Sequence, residues 1–346
     1  MTTTTTSKPR VFVTGATGFL GRHLLDRLAE GDVEVVAMTR QPPLDVDPRV
    51  TWTTGNVNDA ESVARAAEGC EVAYHLAGKV SRDPADAEEM YRVHVEGTDA
   101  VLTALARVGC RRVVVASTSG TVAVSEDPEV VADEGAEAPM HLIARWPYYR
   151  SKFFAERVAR ERNRDGFEVV IVNPSLLLGP GDERGSSTED VRNFMQRKVP
   201  FVPGGGMAFC DARDAATALM LAMDKGKAGE KYLVNGANMS LTDFFGRLAR
   251  ITGVDAPRVT LPRTSTTVAG AGAELMERFT KALRMPALVD KTSAELANVY
   301  WYCDASKAER ELGWQHRDPG HTLADTVDDL RARGVVWPGD MTRASF

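Results

Sequence analysis

The stretch RVFVTGATGFLG, from Arg10 to Gly21, constrains the fold of this chain more than any other. Arg10 to Thr14 is a β-branched run that reads as a buried strand and passes directly into Gly15. From Phe19 to Glu30 apolar residues recur at helical spacing, and the pattern stops before Gly31. Gly15 permits a tight turn off the strand, Gly18 lets a backbone approach a pyrophosphate, and Gly21 allows close helix–strand packing. The helix start then offers free N–H groups and a positive dipole end to phosphates. The spacing is GxxGxxG rather than GxGxxG, and its weight comes from standing between a strand and a helix. Gly15, Thr17, Gly18, Phe19, Leu20 and Gly21 are the expected dinucleotide-binding turn, against the alternative of a purely structural glycine turn.

The pattern that follows supplies the context. Further strands are expected at Val33 to Met38, Val50 to Thr54, Glu71 to His75, Arg111 to Ala116 and Phe167 to Val172. Helices are expected at Asp59 to Glu68, Asp86 to Val108 and Pro147 to Arg164. Alternating strands and helices imply βαβ units and a parallel sheet. The strands are continuous Val/Ile runs, as a sheet covered on both faces requires. The fold class is therefore α/β.

Beyond this the pattern loosens. Gly179 to Gly206 is rich in Gly and Pro, and reads as loop. Asp211 to Met223 is an expected helix, Lys231 to Val234 a short strand, and Ser240 to Thr252 a helix with a capping-box variant at Ser240 and Asp243. Helices at Ala273 to Leu283, Ser306 to Leu312 and Thr322 to Arg333 close the chain. The expected division is a dinucleotide-binding domain over 9–180, to which 211–236 returns, and a substrate lobe from 181–210 and 237–335. Residues 1–8 and 336–346 are expected to be flexible tails.

Two further signals carry chemistry. Strand two ends in Thr39-Arg40-Gln41, where an NAD site usually has Asp or Glu for the ribose 2′-hydroxyl. An arginine suits a 2′-phosphate through bidentate charge-assisted bonds, so NADP is expected, with NAD as the alternative. An exposed Arg40 that touches no cofactor is the competing reading. The second signal is Tyr148-x-x-x-Lys152, which puts both side chains on one helix face. An unperturbed tyrosine titrates near 10, and a nearby ammonium favours its phenolate. A surface pair is the alternative. To hold the substrate oxygen, strand five ends in Ser117-Thr118-Ser119-Gly120; Ser119 is the choice, Thr118 the alternative, and Ser117 is expected to cap the strand end.

Composition narrows the partners. The chain has 346 residues, 43% of them hydrophobic, and a net charge of −6. That leaves enough chain for a sizeable core, and argues against a nucleic-acid binder, which would carry a basic stripe. Cys70, Cys110, Cys210 and Cys303 lie far apart without CxxC spacing, and read as reduced thiols of a cytoplasmic protein. No stretch reaches the roughly 18 apolar residues of a membrane helix. The polar Thr-rich start lacks a secretory h-region. The six histidines show no metal-ligand spacing, so no metal is expected.

Taken together, GATGFLG, His75-Leu76-Ala77-Gly78, the STS strand end, PYYRSK, and Asn173-Pro174-Ser175 through Gly179-Pro180-Gly181 resemble the extended short-chain dehydrogenase/reductase superfamily, which includes NAD-dependent epimerases and dehydratases. Thr39-Arg40, the SGTV stretch and Tyr302 to Trp314 look like its branch of dihydroflavonol reductases, 3β-hydroxysteroid dehydrogenases and hopanoid-associated epimerase-like proteins. The resemblance covers residues 10 to 335 and implies a Rossmann-type doubly wound parallel sheet with a smaller, interleaved C-terminal substrate lobe. It implies Tyr148 as acid–base, Lys152 as its partner and Ser119 as oxygen donor. It also implies that Asn56 and Val57 lie near adenine, and that Leu76, Ala77, Gly78, Pro174 and Ser175 border the cofactor. Members are often dimers through helices equivalent to 86–108 and 147–164; polar faces there leave a monomer open. The family often has Asp where Asn56 stands and Asn where His94 stands. His94 is read as a core histidine bonded to backbone, with a proton-relay part as the alternative.

Several groups have two readings. Lys79 and Arg82 are either a solvated loop or the cleft mouth. Asp211, Arg213 and Asp214 are either an ion-pair network or substrate contacts. Tyr300-Trp301-Tyr302 either packs the smaller lobe or walls an apolar pocket. The expected activity is hydride transfer between NADP and a secondary alcohol or ketone of a bulky, largely apolar small molecule, with Phe201, Met207 and Phe209 as apolar loop residues. A nucleotide-sugar epimerase or dehydratase with tightly bound NAD is the runner-up, using Arg184, Arg192, Arg197 and Lys198 on a pyrophosphate. An NADP-binding redox-sensing regulator is the alternative of another class.

Overall fold

The computed structural model describes residues 8–43, 47–260, 271–272, 274 and 291–337. Apart from Glu274, the helix expected over Ala273 to Leu283 lies outside the described residues, as do 1–7 and 338–346 of the expected tails.

Seven parallel strands form the main sheet. They are β1 (Arg10–Thr14), β2 (Glu34–Thr39), β3 (Val50–Thr54), β4 (Val72–His75), β5 (Arg112–Ala116), β6 (Glu168–Pro174) and, after two strands of a second sheet, β9 (Lys231–Val234). Their order is β3-β2-β1-β4-β5-β6-β9. Side chains alternate across each strand, so Val11 and Val13 enter one apolar cluster while Phe12 enters the other. Val170 and Val172 against Val169 and Ile171 repeat the division on β6. Helices α1 (Phe19–Ala29) and α8 (Ala212–Lys225) cover the first face. The second is covered by α2 (Ala60–Ala66) and α4 (Gly97–Arg107), with Ala159 of α6 (Pro147–Arg162) adding to it.

Strand order reverses between β1 and β4, which puts the ligand crevice outside their carboxyl ends. The helix expected over Asp86 to Val108 is α3 (Ala87–Tyr91) running into α4 through a π-helical turn, Arg92–Glu96. Such turns insert one extra residue into a helix and recur at functional sites. Here the turn carries His94.

The second sheet, which the strand patterns do not announce, orders β10 (Ala237–Ser240), β8 (Gly206–Asp211) and β7 (Leu176–Leu178). With α7 (Glu189–Met195), α9 (Leu241–Thr252) and α11 (Pro319–Ala332) it closes over a third cluster around Phe194, Phe209, Phe244 and Phe245. Two short helices, α5 (Met140–Ile143) and α10 (Lys291–Leu296), complete the set used below. The Ser240 cap differs in detail from a capping box. Its Oγ accepts the Asp243 amide at 3.0 Å, but the Asp243 carboxylate takes the Ser240 hydroxyl instead of reaching back to the backbone. Aspartate is one methylene shorter than the glutamate that makes the reciprocal bond.

The stretch expected as loop, 179–206, contains α7. Before it, the Asp182 carboxylate accepts the amides of Ser186, Ser187 and Thr188, which folds the Gly-rich segment into a fixed turn. No helix among the described residues is long and apolar enough to cross a membrane.

Candidate active site

The crevice starts at Gly15. Its φ of +75° lies in the left-handed region, and a Cβ there would stand 2.5 Å from the Ala77 nitrogen and the Leu76 carbonyl carbon. A Cβ on Gly21 would overlap the Gly15 carbonyl oxygen. Gly18 donates to Gly15 O at 3.0 Å and ends in extended backbone as the N-cap of α1. No side chain caps this helix and no acid stands in its first turn, so its leading amides are open to an anion. Thr17, Phe19 and Leu20 are half-buried around them. These residues fit a dinucleotide pyrophosphate.

Arg40 is exposed at the end of β2 and has no hydrogen-bond or ion-pair partner among the described residues. Asn56 is exposed, its Oδ1 accepting the Asn58 amide at 3.1 Å, and Val57 is half-buried beside it. Leu76 and Ala77 follow β4 and are bonded back to Thr14. Pro174 and Ser175 are buried at the end of β6, and the Ser175 hydroxyl donates to Asn235 Oδ1 at 3.0 Å.

Pro147 opens α6 at a tolerated first-turn position and brings Tyr148 to its first turn. Tyr148 is half-buried, and burial raises its phenol above the ordinary range, with Tyr149 adding to the shift. One turn on, Lys152 is 8% exposed and donates from Nζ to Ala116 O at 3.0 Å. Burial lowers its ammonium to about 8, opposed by the charge of Glu156. The largest influence on Tyr148 is therefore burial, and not the lowering by Lys152 that the sequence suggests.

The end of β5 places the two candidate oxygen donors differently. Ser119 is 3% exposed and its hydroxyl lies against the Cys303 thiol, which burial pushes up to about 12. Thr118 is half-buried ahead of it, its Oγ1 accepting the Gly120 amide at 3.3 Å. Ser117 does not cap the strand; it donates to Glu156 Oε1 at 2.5 Å. Ser119 is thus enclosed beside Cys303, whereas Thr118 is half-buried at the strand end.

His94 has both ring nitrogens engaged. The Lys79 amide donates to Nε2 at 3.0 Å, so the proton sits on Nδ1 and is donated to Ser151 Oγ at 2.8 Å. Ser151 in turn donates to the Tyr148 carbonyl at 2.9 Å. Burial, then Lys152, holds the imidazole neutral, down to about 2. This is the backbone-bonded core histidine and leaves no free nitrogen for a relay. The exchange His94→Asn should leave turnover unchanged within a few-fold and lower stability by about 1 kcal/mol, the worth of one hydrogen bond. A large loss of turnover with an unchanged melting temperature would reverse the assignment. His75 is similarly buried between Thr14 and Thr98, at 2.7 and 3.1 Å, and held neutral at about 3.

The aromatic triplet divides. Trp301 stacks on Tyr149 at 4.6 Å between ring centroids, and Tyr149 meets Tyr148 edge-on at 5.1 Å. Trp146 packs on both Tyr149 and Trp301, its Nε1 held by the buried Glu295 of α10 at 3.0 Å. Tyr300 and Tyr302 pack on each other instead, with the Tyr300 hydroxyl on Gly204 O. A Cβ on Gly120 would collide with the Tyr149 ring, so glycine is required there.

Lys79 is tied to Asp86 at 2.7 Å, within its own loop, whereas Arg82 crosses to Asp190 of α7 at 3.1 Å. Arg213 pairs with Asp211 at 2.7 Å and Arg317 with Asp214 at 2.8 Å, which makes this group an ion-pair network. Arg192 pairs with Glu189 at 3.3 Å. Sequence reasoning missed Glu156 and Asn173, which meet behind Lys152 at 2.6 Å. The signal was present: Glu156 stands four residues after Lys152, the same offset that links Lys152 to Tyr148.

Residues 11–235 match the model of the NAD dependent epimerase/dehydratase family. A putative dihydroflavonol 4-reductase of Synechocystis is 32% identical over 94% of this chain and 95% of its own length. Sterol demethylase protein B of Methylococcus capsulatus is 32% identical over 94% of this chain and 99% of its own. Among solved structures, gox2253 superposes with a TM-score of 0.81 at 25% identity, covering 94% of this chain and 99% of that one.

Proposed function

The chain belongs to the NAD dependent epimerase/dehydratase family, and from that premise we propose an NADP-dependent oxidoreductase that interconverts a secondary alcohol and a ketone on a bulky, largely apolar substrate. That it is an oxidoreductase of the extended short-chain dehydrogenase/reductase type follows from the family and the reductases among its relatives. NADP and the substrate class are the finer reading.

The observation that carries the substrate class is the aromatic surface next to the acid–base tyrosine. Tyr149 and Trp301 are stacked and half-buried, and Tyr149 touches the Tyr148 ring. A flat apolar wall beside the reacting oxygen favours a polycyclic or aromatic skeleton over a sugar. The names of the relatives, a dihydroflavonol reductase and a sterol demethylase protein, point the same way. Of the cations a nucleotide sugar's pyrophosphate would use, Arg192 already carries a carboxylate partner.

In the reductive direction Thr118 Oγ1 and the Tyr148 hydroxyl hold the carbonyl oxygen. Tyr148 gives that oxygen its proton. Lys152 supplies positive charge beneath the phenol and stabilises the phenolate left behind. The nicotinamide, when bound, supplies the hydride and takes it back in the reverse reaction. Its phosphates would rest on the amides after Gly15, and Arg40 would meet the 2′-phosphate.

The test is NADPH oxidation by the purified protein over a panel of steroid-like, flavonoid-like and simple ketones. Activity is expected on the polycyclic members. Thr118→Ala is expected to lower kcat/KM by about 10²-fold, the effect of one oxyanion donor. Ser119→Ala should change it by less than a few-fold. No activity with any ketone would remove the proposal, and the opposite ranking of the two variants would restore Ser119.

A further inference from the structure

Behind the acid–base pair lies a carboxylate that the reaction above does not use. Glu156 is 6% exposed, on α6 one turn beyond Lys152. Its Oε1 accepts three donors: Ser117 Oγ at 2.5 Å, Thr121 Oγ1 at 2.8 Å and Asn173 Nδ2 at 2.6 Å. Asn173 also donates to Thr118 O at 2.9 Å. Lys152 bonds the carbonyl of Ala116, the residue before Ser117. The segment from Ala116 to Thr121 is thus held at one end by the lysine and along its length by the glutamate.

We propose that Glu156 is a positioning residue of the acid–base site, a buried carboxylate that stands one helical turn from Lys152 as its counter-charge and fixes the strand end that presents Thr118. Three donors converging on one oxygen hold the carboxylate against the strand end. A buried ammonium with no counter-charge is strongly disfavoured. The groups that face Lys152 from other elements, His75 of β4 and His94 of the π turn, are held neutral and supply no negative charge. Glu156 is the charge that opposes its desolvation. The charge of Glu156 also acts on the buried Lys231 of β9, as do Arg160, Glu134 and Lys307.

The inference rests on Lys152 as the partner of Tyr148, and its test reads the lysine without any reaction. The protein is labelled with ¹³Cε-lysine, and the Lys152 resonance is assigned by its loss in Lys152→Arg. Titration in the absence of cofactor gives its midpoint. In Glu156→Gln, which keeps an acceptor oxygen but no charge, the midpoint is expected to fall by about one unit or more, a tenfold loss of ammonium at a given pH. In Glu156→Asp, which keeps the charge on a shorter arm, it should stay within about 0.3 unit while kcat falls through the loosened Thr118 segment. The alkaline limb of kcat/KM should follow the lysine in both. An unmoved midpoint in Glu156→Gln overturns the proposal. So does an equal fall in both variants, and a fall of that size in Glu156→Asp, where the charge is kept, overturns it even where the glutamine form does not fold. Loss of activity in every variant with these midpoints as expected would count against Lys152's role in the reaction, and not against Glu156.

Discussion

Replacing Tyr148 with Phe is expected to lower kcat by about 10²–10⁴-fold, the span of general acid–base catalysis. Nucleotide affinity should stay within a few-fold, because the phenol is needed for the proton and not for the pyrophosphate. The ring contacts with Tyr149 and His94 survive the loss of one oxygen, so the melting temperature should hardly move. Fluorescence titration with NADP, beside steady-state turnover, separates the two quantities. A variant that retains most of its turnover would return the chain to the redox-sensor alternative. The pH profile follows from the same site. Burial raises Tyr148, so the phenol that donates the proton stays protonated through neutrality. Lys152 titrates at about 8 and must be charged to stabilise the phenolate. Reduction should therefore be supported below about 8 and fall as pH rises through it. A profile flat to pH 10 would show that the lysine charge plays no part.

Arg40→Asp is expected to raise KM for NADPH by about 10–200-fold, as loss of charge-assisted bonds worth about 1.5–3 kcal/mol implies. The aspartate adds repulsion toward a 2′-phosphate while offering an acceptor to a 2′-hydroxyl, so KM for NADH should hold or fall. The exposure of Arg40 and its lack of a partner among the described residues make this a clean exchange, with little stability at stake. Parallel Michaelis curves for both nucleotides check it. Equal loss for the two would mean that Arg40 does not read the 2′ position.

The glycine turn and the seven parallel strands were legible because each rests on local rules. Glycine spacing, β-branched runs and helical periodicity act within a few residues. The choice between Ser119 and Thr118 was not legible, for the opposite reason. Nothing in Ser-Thr-Ser says which hydroxyl turns inward; that is decided by Cys303, far away in sequence, which lies against Ser119. Trp301 could be separated from Tyr300 and Tyr302 only once Tyr149 and Gly120 were seen beside it. The second sheet escaped because β7 has three residues, β10 is the polar run ANMS, and β8 starts inside a Gly-rich stretch at Gly206. Glu156 went unread although its offset from Lys152 was visible; burial and three converging donors give that offset its meaning.

The π turn has a consequence for how tightly catalysis and folding are tied together. In an unbroken α-helix, each residue is rotated about 100° from the one before, so one register governs the whole length. The extra residue in Arg92–Glu96 resets that register midway. Val101, Leu102 and Leu105 of the later half can then face the sheet while His94 faces the crevice. The helix works as two splines on one shaft, indexed separately. Mutational drift that repacks the core half need not turn the half that holds His94 on Ser151 and the Lys79 amide.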